Sequence, residues 1–150
     1  MEIKTTPPVK VMFFTTRTSL EELENFVVKV AERLYAEITN QNLIPTGPQY
    51  WTYHGMDGKP GTIFTLEICV PVNGEPKTES AFLYKELPPF KCVSVLHNGV
   101  WDDLHKVYKT TIPNIFAKQK QLSGFFRELY INIDLDNPIN NITEVQIGVN

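Results

Sequence analysis

The stretch "IKTTPPVK" (residues 3–10) returns 81 residues later as "YKELPPFK" (84–91). In each, a lysine, two further residues, a proline pair, an apolar residue and a second lysine follow in the same order. Proline gives up its N–H and biases the residue before it toward extended backbone, so a proline pair admits an extended entry at the start of a strand. Two such entries at a fixed distance predict a unit that occurs twice.

Sliding the chain by 81 residues extends the match beyond the prolines. "VKVMFFTTRTSLEELENFV" (9–27) falls on "FKCVSVLHNGVWDDLHKVY" (90–108). Met12 and Phe14 meet Val93 and Val95, Leu23 meets Leu104, Glu21 and Glu22 meet Asp102 and Asp103, and Leu34 meets Ile115. Past the helices the offset falls to 77, from Gly47 to Gly124, a loss of about one helical turn. Trp51 then lies on Glu128, Tyr53 on Tyr130 and Glu67 on Glu144. The predicted unit is strand, helix, strand, strand, covering about 1–73 and 82–150, with 73–87 as a polar turn and new strand joining the two. One unit alone would leave a sheet edge and a sheet face uncovered. The expected fold is therefore α+β: a pseudo-two-fold antiparallel sheet, the units paired edge to edge, carrying two main helices.

Leu20, Leu23, Val27, Val30, Leu34 and Ile38 recur three or four apart and define one face of a helix over 18–38. Ser19 and Glu22 have the spacing of a capping box at its start. The second helix, from about Trp101 to Lys120, contains Pro113, which predicts a kink or break there.

The 150 residues suit one domain, and 42% hydrophobic with 21% charged residues is a globular composition. Net charge is −3, and the 14 basic residues form no stripe, so direct nucleic-acid binding is not expected. No apolar run nears 18 residues and the N-terminus has no signal-peptide pattern, which predicts a cytoplasmic protein without a membrane partner. Cys69 and Cys92 sit apart in apolar segments, so both are expected reduced and near the core. No Cys/His cluster has metal-ligand spacing, and neither a metal nor a cofactor is expected.

Strand alternation separates two faces. Phe125, Leu129, Ile131 and Ile133 share one, read as a core face; Phe126, Glu128 and Tyr130 share the other, which sets a carboxylate between two aromatic rings. Gln49, Trp51 and Tyr53 take the matching side of the first unit. Phe64, Leu66, Ile68, Val70 and Val72 form an apolar row with Glu67 and Cys69 opposite; Glu144 and Gln146 take the matching places later. One surface near the pseudo-dyad is then expected to gather Trp51, Tyr53, Phe126 and Tyr130 with one or more of Glu128, Glu67 and Glu144. Aromatic faces attract positive charge and a partly desolvated carboxylate supplies the counter-charge, a combination suited to a flat apolar cation. The alternative is a plain solvated sheet face. In "LHNGVWDDL" (96–104), Gly99 turns the chain and Trp101 begins the helix, either lining a groove or anchoring the core; Tyr108 follows on roughly the same side. His97 has no serine, cysteine or histidine placed to complete a triad and reads as a structural residue.

The duplicated unit, "HNGVWDDL" in place of a histidine-x-glycine-proline-tyrosine pattern, the "RELYIN" strand and the ending "TEVQIGV" together resemble the GyrI-like small-molecule-binding family, the effector-binding domains of multidrug-responsive transcription activators. The resemblance spans the whole chain. It implies a groove between the units for hydrophobic, often cationic compounds, with Glu128 at its base and Trp51, Trp101 and Tyr130 among its aromatic walls. The full expected ligand-binding set is Glu128, Trp51, Tyr53, Trp101, Tyr108, Phe126 and Tyr130. Val100 and Trp101 replace the family's proline and tyrosine and Gly148 replaces a proline of the usual ending, which alters the pocket's outline. No helix-turn-helix precedes the domain, so a single effector-binding domain over 1–150 is expected to act without a DNA-binding part of its own, in a regulatory or drug-sequestering role. The resemblance also implies two alternatives: hydrolysis of electrophilic, cyclopropanoid-type natural products with Glu128 as catalytic acid or base, or a role toward a separate protein partner, such as DNA gyrase inhibition. A haem-binding relative is a further one, with His54, His97 and His105 the only histidines offered.

Overall fold

The computed structural model describes every residue except Met1, Val27 and Val28, and the backbone alone of Glu24 and Phe26. The chain forms strands β1 (Glu2–Thr6), β2 (Val9–Thr18), β3 (Tyr50–His54), β4 (Phe64–Pro71), β5 (Leu83–Leu87), β6 (Phe90–Asn98), β7 (Leu122–Asn132) and β8 (Ile142–Val149). They join one antiparallel sheet in the order β1-β6-β8-β7-β3-β4-β2-β5. That order reads the same from either end once each strand is exchanged for its repeat, β1 for β5 through β4 for β8. The pseudo-two-fold of the α+β fold is thus real, and it runs between β3 and β7. The β3–β7 ladder pairs Trp51 with Glu128, which are also the two positions the repeat equates. The axis passes between them.

Each half carries one strand more than its expected four elements, because "IKTT" and "YKEL" are themselves strands and the proline pairs are corners. Leu87 and Phe90 are three Cα steps apart, at most about 11 Å. Six strand spacings would separate β5 from β6 by about 29 Å in a flat sheet. The sheet therefore curls until its edges approach. The corners also exchange the edge strands: β1 of the first half pairs with β6 of the second, and β5 of the second pairs with β2 of the first. Lys4 on β1 meets Glu144 at 2.9 Å and Lys85 on β5 meets Glu67 at 2.5 Å. These are equivalent ion pairs under the repeat, each holding a crossed strand onto the other half.

The first helical segment is not one helix. A 3-10 turn covers Leu20–Phe26 and helix α1 covers Lys29–Asn40. Glu22 N–H donates to the Ser19 carbonyl (3.1 Å); this i→i+3 bond takes the very donor that the Ser19 hydroxyl would have capped, and among the described residues no capping box forms. The predicted apolar face is kept, with Leu34 and Ile38 fully buried and Leu20, Leu23 and Val30 packed on the same core; Val27 lies outside the described residues. The second segment is a 3-10 turn at Trp101–Asp103 followed by α2 (Leu104–Ala117), which runs through Pro113 without the expected break. Pro113 and Lys109, whose carbonyl it leaves unbonded, are both exposed, so water can meet that carbonyl.

Both helices cover the sheet face that carries the Phe64–Val72 row, and Met12, Val93, Ile115, Val145 and Ile147 complete this core. Trp51 pairs with Ile68 and Tyr53 with Leu66, so they and Glu128 belong to the helix side. Ile133, past the end of β7 and a register shift at Tyr130/Asn132, turns to the helix side. The rest of the face predicted as core is the other one: Phe125 and Ile131 are 47% and 48% exposed there, and only Leu129, at 6%, is buried as expected. That second face lines the inside of the curl, where Val11, Phe13, Leu87 and Cys69 pack together. Cys69 and Cys92 are free and buried, as expected.

Candidate functional site

Between the two helices the covered face opens into a groove of about 1500 Å³, floored by the central strands and walled by α1, α2 and the 55–59 and 133–135 loops. On its floor, at the pseudo-dyad, Glu128 is 6% exposed. Three phenols converge on it. The Tyr53 and Tyr130 hydroxyls donate to Oε1 at 2.9 and 2.7 Å, and the Tyr108 hydroxyl donates to Oε2 at 2.7 Å. They arrive from β3, β7 and α2, so both halves of the repeat build the cluster.

The electrostatics follow from burial. The Tyr53, Tyr108 and Tyr130 hydroxyls are pushed well above the ordinary phenol value, first by removal from water and then by the Glu128 charge. They remain protonated donors. No lysine, arginine or histidine pairs with Glu128 among the described residues. Around the carboxylate the rings interlock edge to face: Tyr130 packs on Trp51 (centroids 5.9 Å) and on Trp101 (5.5 Å), and Tyr108 packs on Phe126 (5.8 Å). Trp51 is also oriented by its Nε1–H, which donates to Gln49 Oε1 at 3.1 Å.

All seven sequence-expected residues, Glu128, Trp51, Tyr53, Trp101, Tyr108, Phe126 and Tyr130, line this groove. Glu67 and Glu144 do not join them. Glu67 pairs across the ladder with Thr52 and Glu144 with Leu129, and residues directly opposed in a ladder share a face, so both point into the curl. There Glu144 accepts from Ser94, Gln146 and Lys4, and Glu67 from Lys85. Gly148 also lies off the groove; a Cβ on it would meet Ser123, Phe125 and Phe90.

Of the histidines, His54 stacks on Phe125 at 4.1 Å, His97 Nε2 lies 3.0 Å from the Val100 carbonyl, and exposed His105 has Nδ1 2.6 Å from the Asp102 carbonyl at the groove edge. Among the described residues no three His, Cys, Asp or Glu side chains are grouped to hold a metal, and no helix is long and apolar enough to cross a membrane. Wall residues that the sequence reading missed are Tyr35, Met56, Leu122 and Leu135. Met56 and Leu135 sit in segments whose only legible signal was turn composition, which carries no information about what the loop folds over.

The sequence pattern of the GyrI-like small molecule binding domain matches residues 1–150. Among curated protein sequences none matches the chain. The EcmrR C-terminal domain has the same fold, with 22% identity, TM-score 0.83 and coverage of 99% of this chain and 96% of that one. In an EcmrR–DNA complex the match spans 56% of the EcmrR chain, at 22% identity and TM-score 0.82 over 99% of this one. SAV2435 bound to tetraphenylphosphonium is similar at 12% identity, TM-score 0.69 and coverage of 99% and 93%. A hydrolase from Listeria innocua is similar at 12% identity, TM-score 0.62 and coverage of 99% and 92%.

Proposed function

The chain belongs to the GyrI-like small-molecule-binding family, and we propose that its groove takes hydrophobic aromatic cations, with Glu128 as counter-charge and Trp51, Tyr53, Trp101, Tyr108, Phe126 and Tyr130 as the walls. A single observation carries this: a buried carboxylate with three hydrogen-bond donors and, among the described residues, no protein cation. The phenols stabilise the charge without neutralising it, and burying an unneutralised charge is costly. A ligand cation removes that cost. Because the phenols already occupy the carboxylate oxygens, attraction acts through charge and ring faces and asks for no N–H donor on the ligand. A groove of about 1500 Å³ exceeds the usual drug-sized pocket of about 300–1,000 Å³, which suits bulky compounds of the kind SAV2435 holds. Such binding serves a regulatory or drug-sequestering role.

Hydrolysis of an electrophilic substrate is the second reading, favoured by three O–H groups beside a buried carboxylate. As general base Glu128 must first shed one of its phenol donors, which makes plain binding the better fit. Rhodamine 6G, a fluorescent lipophilic cation, should bind saturably and be displaced by tetraphenylphosphonium. Absence of saturable binding by either compound would overturn the proposal.

A further inference from the structure

The two central strands carry a second, oppositely charged constellation on their other side. Arg127 lies between Phe126 and Glu128 on β7 and projects into the curl, where it is 6% exposed. It pairs across the ladder with Thr52. Its guanidinium lies over the Phe90 ring at 4.2 Å, and one of its N–H groups donates, at a long 3.4 Å, to the Pro88 carbonyl. A guanidinium has five N–H donors. No carboxylate pairs with it among the described residues, since Glu67 is taken by Lys85 and Glu144 by Lys4. Burial pulls its pKa below the ordinary value.

This guanidinium faces a cavity of about 490 Å³ inside the curl, separate from the groove. Thr52, Thr65 and Ser123 contribute hydroxyls, Leu87 and Phe90 an apolar wall, and Lys91 a further cation. His54 and Phe125, both exposed, stand stacked 4.1 Å apart against the same cavity.

We propose that this cavity is a second binding site, for small aromatic carboxylates, with Arg127 as its anchor. The planar fork of arginine matches a carboxylate in bidentate fashion, and the anion relieves the buried, unneutralised charge. The flat ring of the ligand lies on Phe90 and Leu87 and extends toward the His54–Phe125 stack. Charge count favours a monoanion: Lys85 is already neutralised, and the Glu67 carboxylate in the same wall repels a phosphate dianion. The site does not depend on what the groove binds, because alternate residues of β3 and β7 face opposite sides.

The test is titration of the whole chain with benzoate, followed by calorimetry and by NMR of the Arg127 side-chain and Thr52 backbone N–H signals. Saturable binding that moves both signals is expected, and Arg127→Lys, which keeps the charge and loses the fork, should weaken it about tenfold or more. Thr52→Leu fills the space beside the guanidinium and should abolish binding with the thermal midpoint kept, which guards against a folding defect in the arginine variant. Glu128→Gln should bind benzoate as the parent does. No movement of the Arg127 and Thr52 signals at tens of millimolar benzoate overturns the proposal, as does unchanged affinity in Thr52→Leu or in a folded Arg127→Lys. Inorganic phosphate binding more tightly than benzoate overturns the carboxylate assignment.

Discussion

Replacing Glu128 by glutamine removes one charge at nearly constant shape. The amide oxygen can still accept from Tyr53 and Tyr130, and the Tyr108 hydroxyl can rotate to accept from the amide nitrogen, so the phenol cluster survives. What is lost is attraction for a cation. A ligand charge resting against the phenol oxygens, themselves 2.7–2.9 Å from the carboxylate, lies about 6 Å from it. At an effective dielectric of about 20, unit charges at that distance interact by about 3 kcal/mol. Residual water in an open groove lowers this to about 1.4–2.7 kcal/mol, or about tenfold to hundredfold in Kd. Calorimetric titration of both proteins with tetraphenylphosphonium and with neutral triphenylphosphine oxide checks the figure. The phosphonium should weaken by that factor while the neutral compound changes less than about twofold. Equal loss for both compounds would refute the charge argument, because it would mean that Glu128 acts by shaping the groove.

Tyr108→Phe takes away the donor on Glu128 Oε2 and should destabilise the fold by about 1–3 kcal/mol in urea unfolding, the cost of a buried acceptor left unmet; an unchanged midpoint would count against a tightly held cluster. Gly148→Ala drives a Cβ into Ser123 Oγ and to 2.6 Å from the Phe125 carbonyl, an overpacking that should cost about 1–3 kcal/mol in the same assay. Burial raises the Glu144 pKa, but the bonds from Gln146, Lys4 and Ser94 outweigh it and hold it below the ordinary 4.5. The folded value is thus the lower one, so the stabilisation is full above about pH 4.5 and drains away as pH falls through the depressed value. Glu144→Gln should flatten that acid limb of the urea midpoint; an unaltered pH dependence would remove Glu144 as its source.

Much of the site was legible in the sequence because it rests on short-range rules. The period of two along 125–133 set Phe126, Glu128 and Tyr130 together, and the 77-residue offset brought Trp51 opposite Glu128. Alternation distinguishes two faces of a strand without saying which one the helices will cover, and so the exposed Phe125 and Ile131 were assigned to the core. It also left open which of Glu128, Glu67 and Glu144 share the aromatic surface, since a residue's face depends on the ladder register with its neighbour.

By itself the sequence determined the duplication, the strand-helix-strand-strand core of each half, and the aromatic and acidic positions that the repeat equates; all of these are properties of spacing along one chain. The tertiary structure alone decided that the two proline pairs are corners, that β1 and β5 cross to the opposite half, and that Lys4 and Lys85 close ion pairs there. A two-residue corner can join strands six places apart only if the sheet curls, and the curl is a sum over all eight strands. The same curl gives the sheet an inside, which holds Arg127, and an outside, which holds Glu128.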